Sequence, residues 1–219
     1  MFNPVKSHSL GFFRLFAGIV LTIDLLHERG FYERPAIYDE EWCFFPIHSS
    51  FPLPNKNMLQ TVFAIMLAAH VALTLGTMYK LASIIVCLGR WYLIFIDVTT
   101  WNNHTYFFAL TSTIFVFTNC DGQFSISPKR NFVPQWQLRL FQFQQFIMYF
   151  YAGVHKLFSP DWFKAQSGFE LSATNRFPFK FILKHIFTQE EAHLALHWCG
   201  CGLDLFAGFG LLHKKTRLI

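Results

Sequence analysis

Residues 58–78 read MLQTVFAIMLAAHVALTLGTM, and residues 81–96 read LASIIVCLGRWYLIFI. A helix needs about 20 residues to cross the hydrocarbon core of a bilayer, so both runs are candidates for membrane spans. Four further apolar stretches lie at about 10–26, 106–118, 138–157 and 193–212. The pattern predicts an all-α protein, a polytopic membrane bundle of about six transmembrane or re-entrant helices.

The composition supports a lipid-facing exterior. Hydrophobic residues make up 53% of the 219 residues and charged residues only 14%, whereas a soluble domain has about 25% charged residues. This composition excludes three classes of protein, namely intrinsically disordered chains, collagen-like repeats and small disulfide scaffolds. The 18 basic residues give a net charge of +5 but are scattered along the chain. The predicted partner is therefore the lipid bilayer and not a nucleic acid.

The five cysteines match neither a CxxC pair nor a zinc spacing, so no metal site is predicted. Most of them lie in or beside apolar stretches and are interpreted as buried small hydrophobic residues. Cys43 differs because it lies in a polar loop, where it could form a disulfide in an oxidising compartment.

A polar cluster, DVTTWNNHTY, occupies residues 97–106, where an apolar stretch ends. Adjacent amides and a histidine at membrane depth are costly unless they are paired or line a wet cavity. Two interpretations stay open for this cluster. It lines such a cavity with Trp101, Asn102, Asn103 and His104, or it is an interfacial hairpin capped by its own polar side chains.

A second cluster, YFYAGVHKL, occupies residues 149–157 and ends an apolar stretch. In one interpretation Lys156 snorkels and puts its ammonium group among the lipid headgroups. In the other, the lysine points back along its helix over Ala152 and Gly153, because helical side chains tilt toward the N-terminus. The small residues then leave a notch for a flat ring, and Tyr149 extends the same face.

Topology connects the two clusters. Two predicted membrane crossings separate His104 from Lys156, so both residues are expected on the same side of the membrane. We therefore predict one pocket at the membrane boundary that contains a histidine, two amides and a lysine. Burial there disfavours the charged form of Lys156 and makes its amine available as a base.

The chain resembles the N-terminal membrane region of the vitamin K-dependent gamma-carboxylase and, more broadly, the horizontally transferred transmembrane (HTTM) family. The resemblance covers nearly the whole of residues 1–219, which are interpreted as one HTTM-like transmembrane domain. Its most specific parts are the WNNH motif at 101–104 and the AGVxKL motif at 152–157. Other matching positions include Arg14, Asp24, Cys43, Asp97, Asp161, Trp162, His197, Trp198 and Asp204.

The resemblance implies a peptidyl-glutamate 4-carboxylase, a carbon–carbon lyase, in the endoplasmic reticulum membrane. In that family a lysine at the position of Lys156 deprotonates vitamin K hydroquinone, and oxygen converts the anion into a strong base on the way to the epoxide. This base removes a γ-proton from a peptide glutamate, and the carbanion takes up carbon dioxide. His104 and Asn103 are expected near the quinone and the reacting carboxylate, with Trp101, Asn102, Tyr149 and Gly153 in the binding region. The expected partner is a propeptide-bearing protein substrate.

Some features depart from this family. His155 replaces a common second lysine, and the chain stops at Ile219, where the family continues into further helices and a lumenal domain. The lumenal partner that the family supplies for the cysteine matching Cys43 is also absent. The chain is therefore expected to be either a fragment or a short relative that has lost the carboxylase reaction. A fragment is expected to leave Arg14, Asp24 and Arg90 without some partners and to carboxylate a propeptide-bearing substrate poorly by itself. The alternative function is a catalytically silent HTTM-type protein that binds a quinone or a partner subunit.

Overall fold

A computed structural model describes residues 3–27, 44–159 and 189–212. Within these residues, an α-helix occupies each of the six apolar stretches, so the prediction of a helical membrane bundle is confirmed. The helices are α1 His8–His27, α2 Lys56–Leu75, α3 Tyr79–Ile96, α4 Asn103–Phe117, α5 Gln135–Phe158 and α6 Gln189–Leu212. Two short strands, β1 Pro4–Lys6 and β2 Phe132–Pro134, were not predicted and pair antiparallel, with Val5 opposite Val133.

The chain divides into two compact units, residues 1–141 and residues 142–219. The first unit contains α1 to α4, the strand pair and the start of α5. The second contains the rest of α5 and α6. Each unit is described by itself below.

Three helices in the described part of the chain, α1, α2 and α3, are long and apolar enough to cross a membrane. The six predicted transmembrane or re-entrant helices are all present as helices, and these three meet the length and hydropathy expected of a span. Helix α4 has 15 residues and is about 22 Å long, short of the ~30 Å core. Helix α5 is long enough, but its first half carries several glutamines.

Helices α1, α2 and α3 pack closely in the first unit. A Cβ added at Gly18 on α1 would lie 2.8 Å from the Cα of Thr74 on α2, so only glycine permits this approach. Other apolar side chains of these helices, among them Ile23, Leu81 and Leu88, are exposed. Because they lie on helices that suit a membrane span, we interpret them as the lipid-facing surface.

Helix α2 ends three residues earlier than the predicted stretch. Gly76 adopts a left-handed conformation with φ of 71°, and its N–H group caps the helix at the carbonyls of Ala72 and Leu73. This is the usual way in which glycine terminates a helix. A Cβ at Gly76 would also lie 2.9 Å from Cζ of Arg14. A side chain at this position is therefore disfavoured both by the left-handed backbone and by the lack of space.

Arg14 is fully buried and binds the carbonyl groups that the end of α2 leaves exposed. Its Nη1 donates to Leu73 O at 2.8 Å and also to Thr74 O. Its Nε donates to Cys120 O at 2.9 Å, and its Nη2 donates to Phe124 O at 2.6 Å. The guanidinium therefore joins α1, the end of α2 and the loop after α4. The expectation that Arg14 lacks partners is wrong.

Replacing Arg14 with methionine is expected to lower the free energy of unfolding by about 3 kcal/mol or more, because several buried carbonyls lose their donor. A loss of 3 kcal/mol corresponds to a decrease of about 6–12 °C in Tm for a chain of this size. Thermal unfolding in detergent micelles measures the decrease. Lys6→Met is the control, since Lys6 is exposed. Equal Tm values for the two variants contradict the assigned role of Arg14.

The other two charged residues of the apolar spans are also paired within the first unit. Arg90 on α3 forms a buried ion pair with Asp24 on α1 and donates to Leu21 O at 2.6 Å. His70 on α2 lies beside the guanidinium, with its Nε2 atom 3.4 Å from Nε of Arg90. The other ring nitrogen of His70, Nδ1, lies 2.6 Å from Met66 O. The expectation that Asp24 and Arg90 lack partners is therefore wrong.

The described cysteines largely match their interpretation as small hydrophobic residues. Cys120 and Cys201 are buried, Cys87 is half-buried and Cys199 is exposed. Burial raises the pKa of the Cys120 thiol to about 11, so this group stays protonated at neutral pH. Cys43 lies outside the described residues.

Candidate functional site

The WNNH segment forms the N-terminal end of α4. Asn102 is the N-cap residue, and its side chain accepts a hydrogen bond from the N–H group of Thr105 at 2.9 Å. The hydroxyl of Thr105 in turn accepts from the N–H group of Asn102 at 3.1 Å, which completes a capping box. Asn102 therefore stabilises a helix end, as expected for a hairpin capped by its own polar side chains.

The other members of this segment are exposed at the surface of the first unit. Trp101 is 51% exposed and stacks on Tyr106, with 5.7 Å between ring centroids. Asn103 and His104, the first two residues of α4, are also exposed. Within the first unit these side chains form an accessible polar surface.

Asp97 stabilises the turn that precedes this segment. Its Oδ1 atom accepts hydrogen bonds from the N–H group of Thr99 at 3.1 Å and from the hydroxyl of Thr99 at 2.6 Å. The following 3-10 turn, Val98–Thr100, is fixed from the other side, because Val98 N–H donates to Phe45 O at 2.8 Å. The turn that precedes the polar surface at the start of α4 is therefore fixed by hydrogen bonds on both sides.

Lys156 lies in the last turn of α5, in the second unit. Its Nζ atom lies 2.7 Å from Oδ2 of Asp204 on α6, and the side chains of the two residues are 24% and 12% exposed. This distance is that of a charge-assisted hydrogen bond. Burial alone was expected to act on Lys156, but the structure places a carboxylate directly beside its amine. The carboxylate of Asp204 is the feature that this argument overlooked.

The direction of the Lys156 side chain follows from the packing of the two helices. Gly153 of α5 contacts Cys201 of α6, whose thiol lies 3.6 Å from Gly153 O. Earlier on α5, Phe146 lies against Gly208 of α6. The helices are therefore antiparallel, and Asp204 lies level with a part of α5 that precedes Lys156. A lysine side chain that reaches Asp204 therefore extends back along α5.

The notch beside Gly153 is filled by a neighbouring side chain. A Cβ at Gly153 would lie 2.7 Å from Cγ and 2.9 Å from the backbone nitrogen of Leu205 on α6. The prediction that a flat ring occupies this notch is wrong for the structure described here, because α6 packs into it. Gly153 allows the close helix approach that brings Asp204 within reach of Lys156.

Aromatic side chains line the adjoining part of the second unit. Phe146 and Phe150 of α5 stack at 5.5 Å between centroids, and Phe209 of α6 meets both edge-on at 5.1 and 5.9 Å. Tyr149 is half-buried on the same helix. These rings form an apolar surface on the same two helices that carry the Lys156–Asp204 pair.

The predicted pocket joins residues from different units. His104 belongs to the first unit and Lys156 to the second, so their shared cavity stays a prediction. The two crossings predicted between His104 and Lys156 correspond to α4 and α5, and neither is among the three described helices that suit a membrane span. Cys43, Asp161 and Trp162, which match the family, lie outside the described residues.

Sequence reasoning did not assign a role to Asp204. The signal was present in the spacing of α6, where His197, Cys201 and Asp204 follow one another at intervals of four and three residues. This spacing puts them on one helix face, and all three are buried. Polar residues on a buried face of an apolar helix indicate a partner on the helix that packs against it.

The sequence profile of the HTTM domain matches residues 2–219, which is nearly the whole chain. The chain belongs to the HTTM domain family. No solved structure matches this HTTM domain. The family assignment agrees with the three helices that are long and apolar enough to span a membrane, and with a helical bundle as the fold.

Proposed function

We propose that this HTTM domain is a membrane enzyme of the vitamin K-dependent gamma-glutamyl carboxylase type. It couples epoxidation of vitamin K hydroquinone, with oxygen, to carboxylation of peptide glutamate with carbon dioxide. It acts in the endoplasmic reticulum membrane on propeptide-bearing proteins. The observation that carries the proposal is the Lys156–Asp204 pair between two antiparallel helices. In this pair the amine of Lys156 is half-buried yet accessible, and it lies in the motif that matches the family's base.

The family assignment supports the proposal, since HTTM domains occur in vitamin K-dependent carboxylase-type proteins. The AGVxKL and WNNH motifs add residue-level support. Both lie at helix ends, Lys156 near the end of α5 and Asn103 at the start of α4. Residues at helix ends are the ones that reach the membrane boundary, where a lipid-soluble quinone and a water-soluble peptide can meet.

The side chains around Lys156 fit a hydroquinone. A flat apolar ring packs well against aromatic rings, and Phe146, Phe150 and Phe209 offer such a surface near the ion pair. The ring would lie beside the Gly153–Leu205 contact, with a hydroxyl toward Lys156. The hydroquinone supplies the hydroxyl proton and the electrons that reduce oxygen.

Lys156 first loses its own proton to solvent water and then accepts the hydroxyl proton of the bound substrate. The O–H bond breaks, its electron pair stays on oxygen, and an N–H bond forms on Nζ. The new ammonium group lies next to the negative oxygen and stabilises it, most effectively where apolar rings exclude water. Lys156 therefore acts as the base and as the counter-charge of the anion that it generates.

The WNNH surface is assigned to the peptide side of the reaction. The amide of Asn103 and the imidazole of His104 can donate hydrogen bonds to a glutamate carboxylate, and both side chains are exposed on the first unit. Trp101 and Tyr106 form a stacked aromatic surface beside them. Asn102 holds the start of α4 through its capping box and thereby positions the segment.

The experiment is to place the purified chain in lipid nanodiscs with hydroquinone, oxygen, labelled carbon dioxide and a free short glutamate peptide. Epoxide is measured by chromatography and carboxylation by label incorporation. We expect both products, and epoxide formation to increase with the peptide. Nanodiscs without the protein are the control. If the hydroquinone is bound but yields no epoxide above that control, the carboxylase proposal is wrong and a silent quinone-binding protein is favoured.

A further inference from the structure

Asp204 lies in the ion pair with Lys156 but has no role in the proposed reaction so far. The two residues are 48 positions apart in the sequence and meet at 2.7 Å. A lysine at a helix end otherwise extends toward water or headgroups. Here the Nζ atom of Lys156 lies instead at the carboxylate of Asp204 on the neighbouring helix α6.

We propose that Asp204 is the positioning residue of Lys156, which fixes the direction of the amine. For its base role this inference rests on the proposed function. The geometry is independent of that function, because it consists of one contact between two described helices. Gly153 supports the contact by allowing α6 to approach α5 closely.

The effect of Asp204 on protonation has a definite sign. A negative charge next to an ammonium group stabilises the protonated form. Removal of that charge therefore lets Lys156 lose its proton at a lower pH. The other titratable side chains in the described parts of α5 and α6 are the same in the chain and in its Asp204 variants, namely Arg139, Tyr149, Tyr151, His155, Glu191, His197, Cys199 and Cys201.

The test compares Asp204→Asn and Asp204→Glu with the unchanged chain. The first readout is competitive labelling of amines with acetic anhydride across a range of pH, followed by mass spectrometry, since only an unprotonated amine reacts. Lys156 is accessible enough to be labelled. In Asp204→Asn we expect its labelling midpoint to move to lower pH, and in Asp204→Glu to stay closer to that of the unchanged chain.

Two controls accompany this measurement. Lys56, an exposed lysine at the start of α2, should keep its labelling midpoint in every variant. Glu191→Gln removes an exposed carboxylate from α6 without touching the pair and should leave the Lys156 midpoint unchanged. An unchanged Lys156 midpoint in folded Asp204→Asn overturns the inference, whatever the activity of the chain.

The second readout is the pH dependence of epoxide formation. In Asp204→Asn we expect the acidic limb of kcat/KM to move to lower pH, with a lower maximum because the amine is less well placed. If folded Asp204→Asn is inactive at every pH, Asp204 handles the proton itself and the positioning role is wrong. If the unchanged chain forms no epoxide, the proposed function fails, while the labelling result still decides the role of Asp204.

Discussion

Replacing Lys156 with alanine is expected to abolish epoxide formation and glutamate carboxylation while the chain still inserts into membranes. The substitution removes the amine that takes the hydroxyl proton, and a positioned general base contributes about 10²–10⁴-fold to a rate. It also leaves Asp204 without this partner. Epoxide is measured by chromatography, and insertion by resistance to alkaline extraction. Normal epoxide formation by Lys156→Ala contradicts the assignment of this residue as the base.

Lys156→Arg separates the two roles of the lysine. Arginine keeps a positive charge opposite Asp204 but stays protonated at all accessible pH values. If Lys156 acts as a base, Lys156→Arg is as inactive as Lys156→Ala. If only the positive charge matters, Lys156→Arg retains activity. His155→Ala is the matched control, because the neighbouring histidine is exposed and should be dispensable for the reaction.

Replacing Arg90 with methionine is expected to cost the largest amount of stability among single substitutions in the first unit. The carboxylate of Asp24 is then left buried without its counter-charge, and His70 loses the donor beside its Nε2 atom. Breaking one side of a buried ion pair typically costs about 3–5 kcal/mol. Unfolding by heat or denaturant in detergent micelles measures the loss. Lys56→Met, which changes an exposed charge, is the control.

The double variant Asp24→Leu/Arg90→Met distinguishes pairing from a general intolerance of these positions. Replacing both ions by apolar residues removes the uncompensated charge, and such replacements are often close to neutral. We expect the double variant to recover at least half of the stability that Arg90→Met loses. Losses that simply add in a double-mutant cycle contradict the pairing, because interacting residues give non-additive losses.

The positions of the helices could be predicted largely from the sequence. The stretch predicted at about 81–96 is observed as Tyr79–Ile96, and the one at about 193–212 as Gln189–Leu212. The largest errors lay in predicting which helices are long and apolar enough to span a membrane. Helix α4 was predicted as a crossing on its apolar character, although its 15 residues are too few to reach across the hydrocarbon core.

The candidate site was predicted in part. The sequence singled out Lys156 as the base, which stays a prediction, and it singled out Gly153, where the two helices approach closely. It assigned the notch at Gly153 to a ligand, whereas Leu205 fills it, because a small residue on a helix serves equally well to admit a ligand or another helix. It also left open two interpretations of Asn102, of which the capping box at the start of α4 supports the hairpin capped by polar side chains.

The sequence by itself determined that this protein is a helical membrane protein, because apolar runs and helix caps are local features that act over a few residues. The tertiary structure decided which charges meet. Asp24 and Arg90 are 66 positions apart, and Lys156 and Asp204 are 48 positions apart. Whether a buried charge is paired depends on which helix faces meet, and close helix approach at glycines such as Gly18 and Gly153 controls that packing. A pattern of residue types along the chain carries no direct record of such contacts.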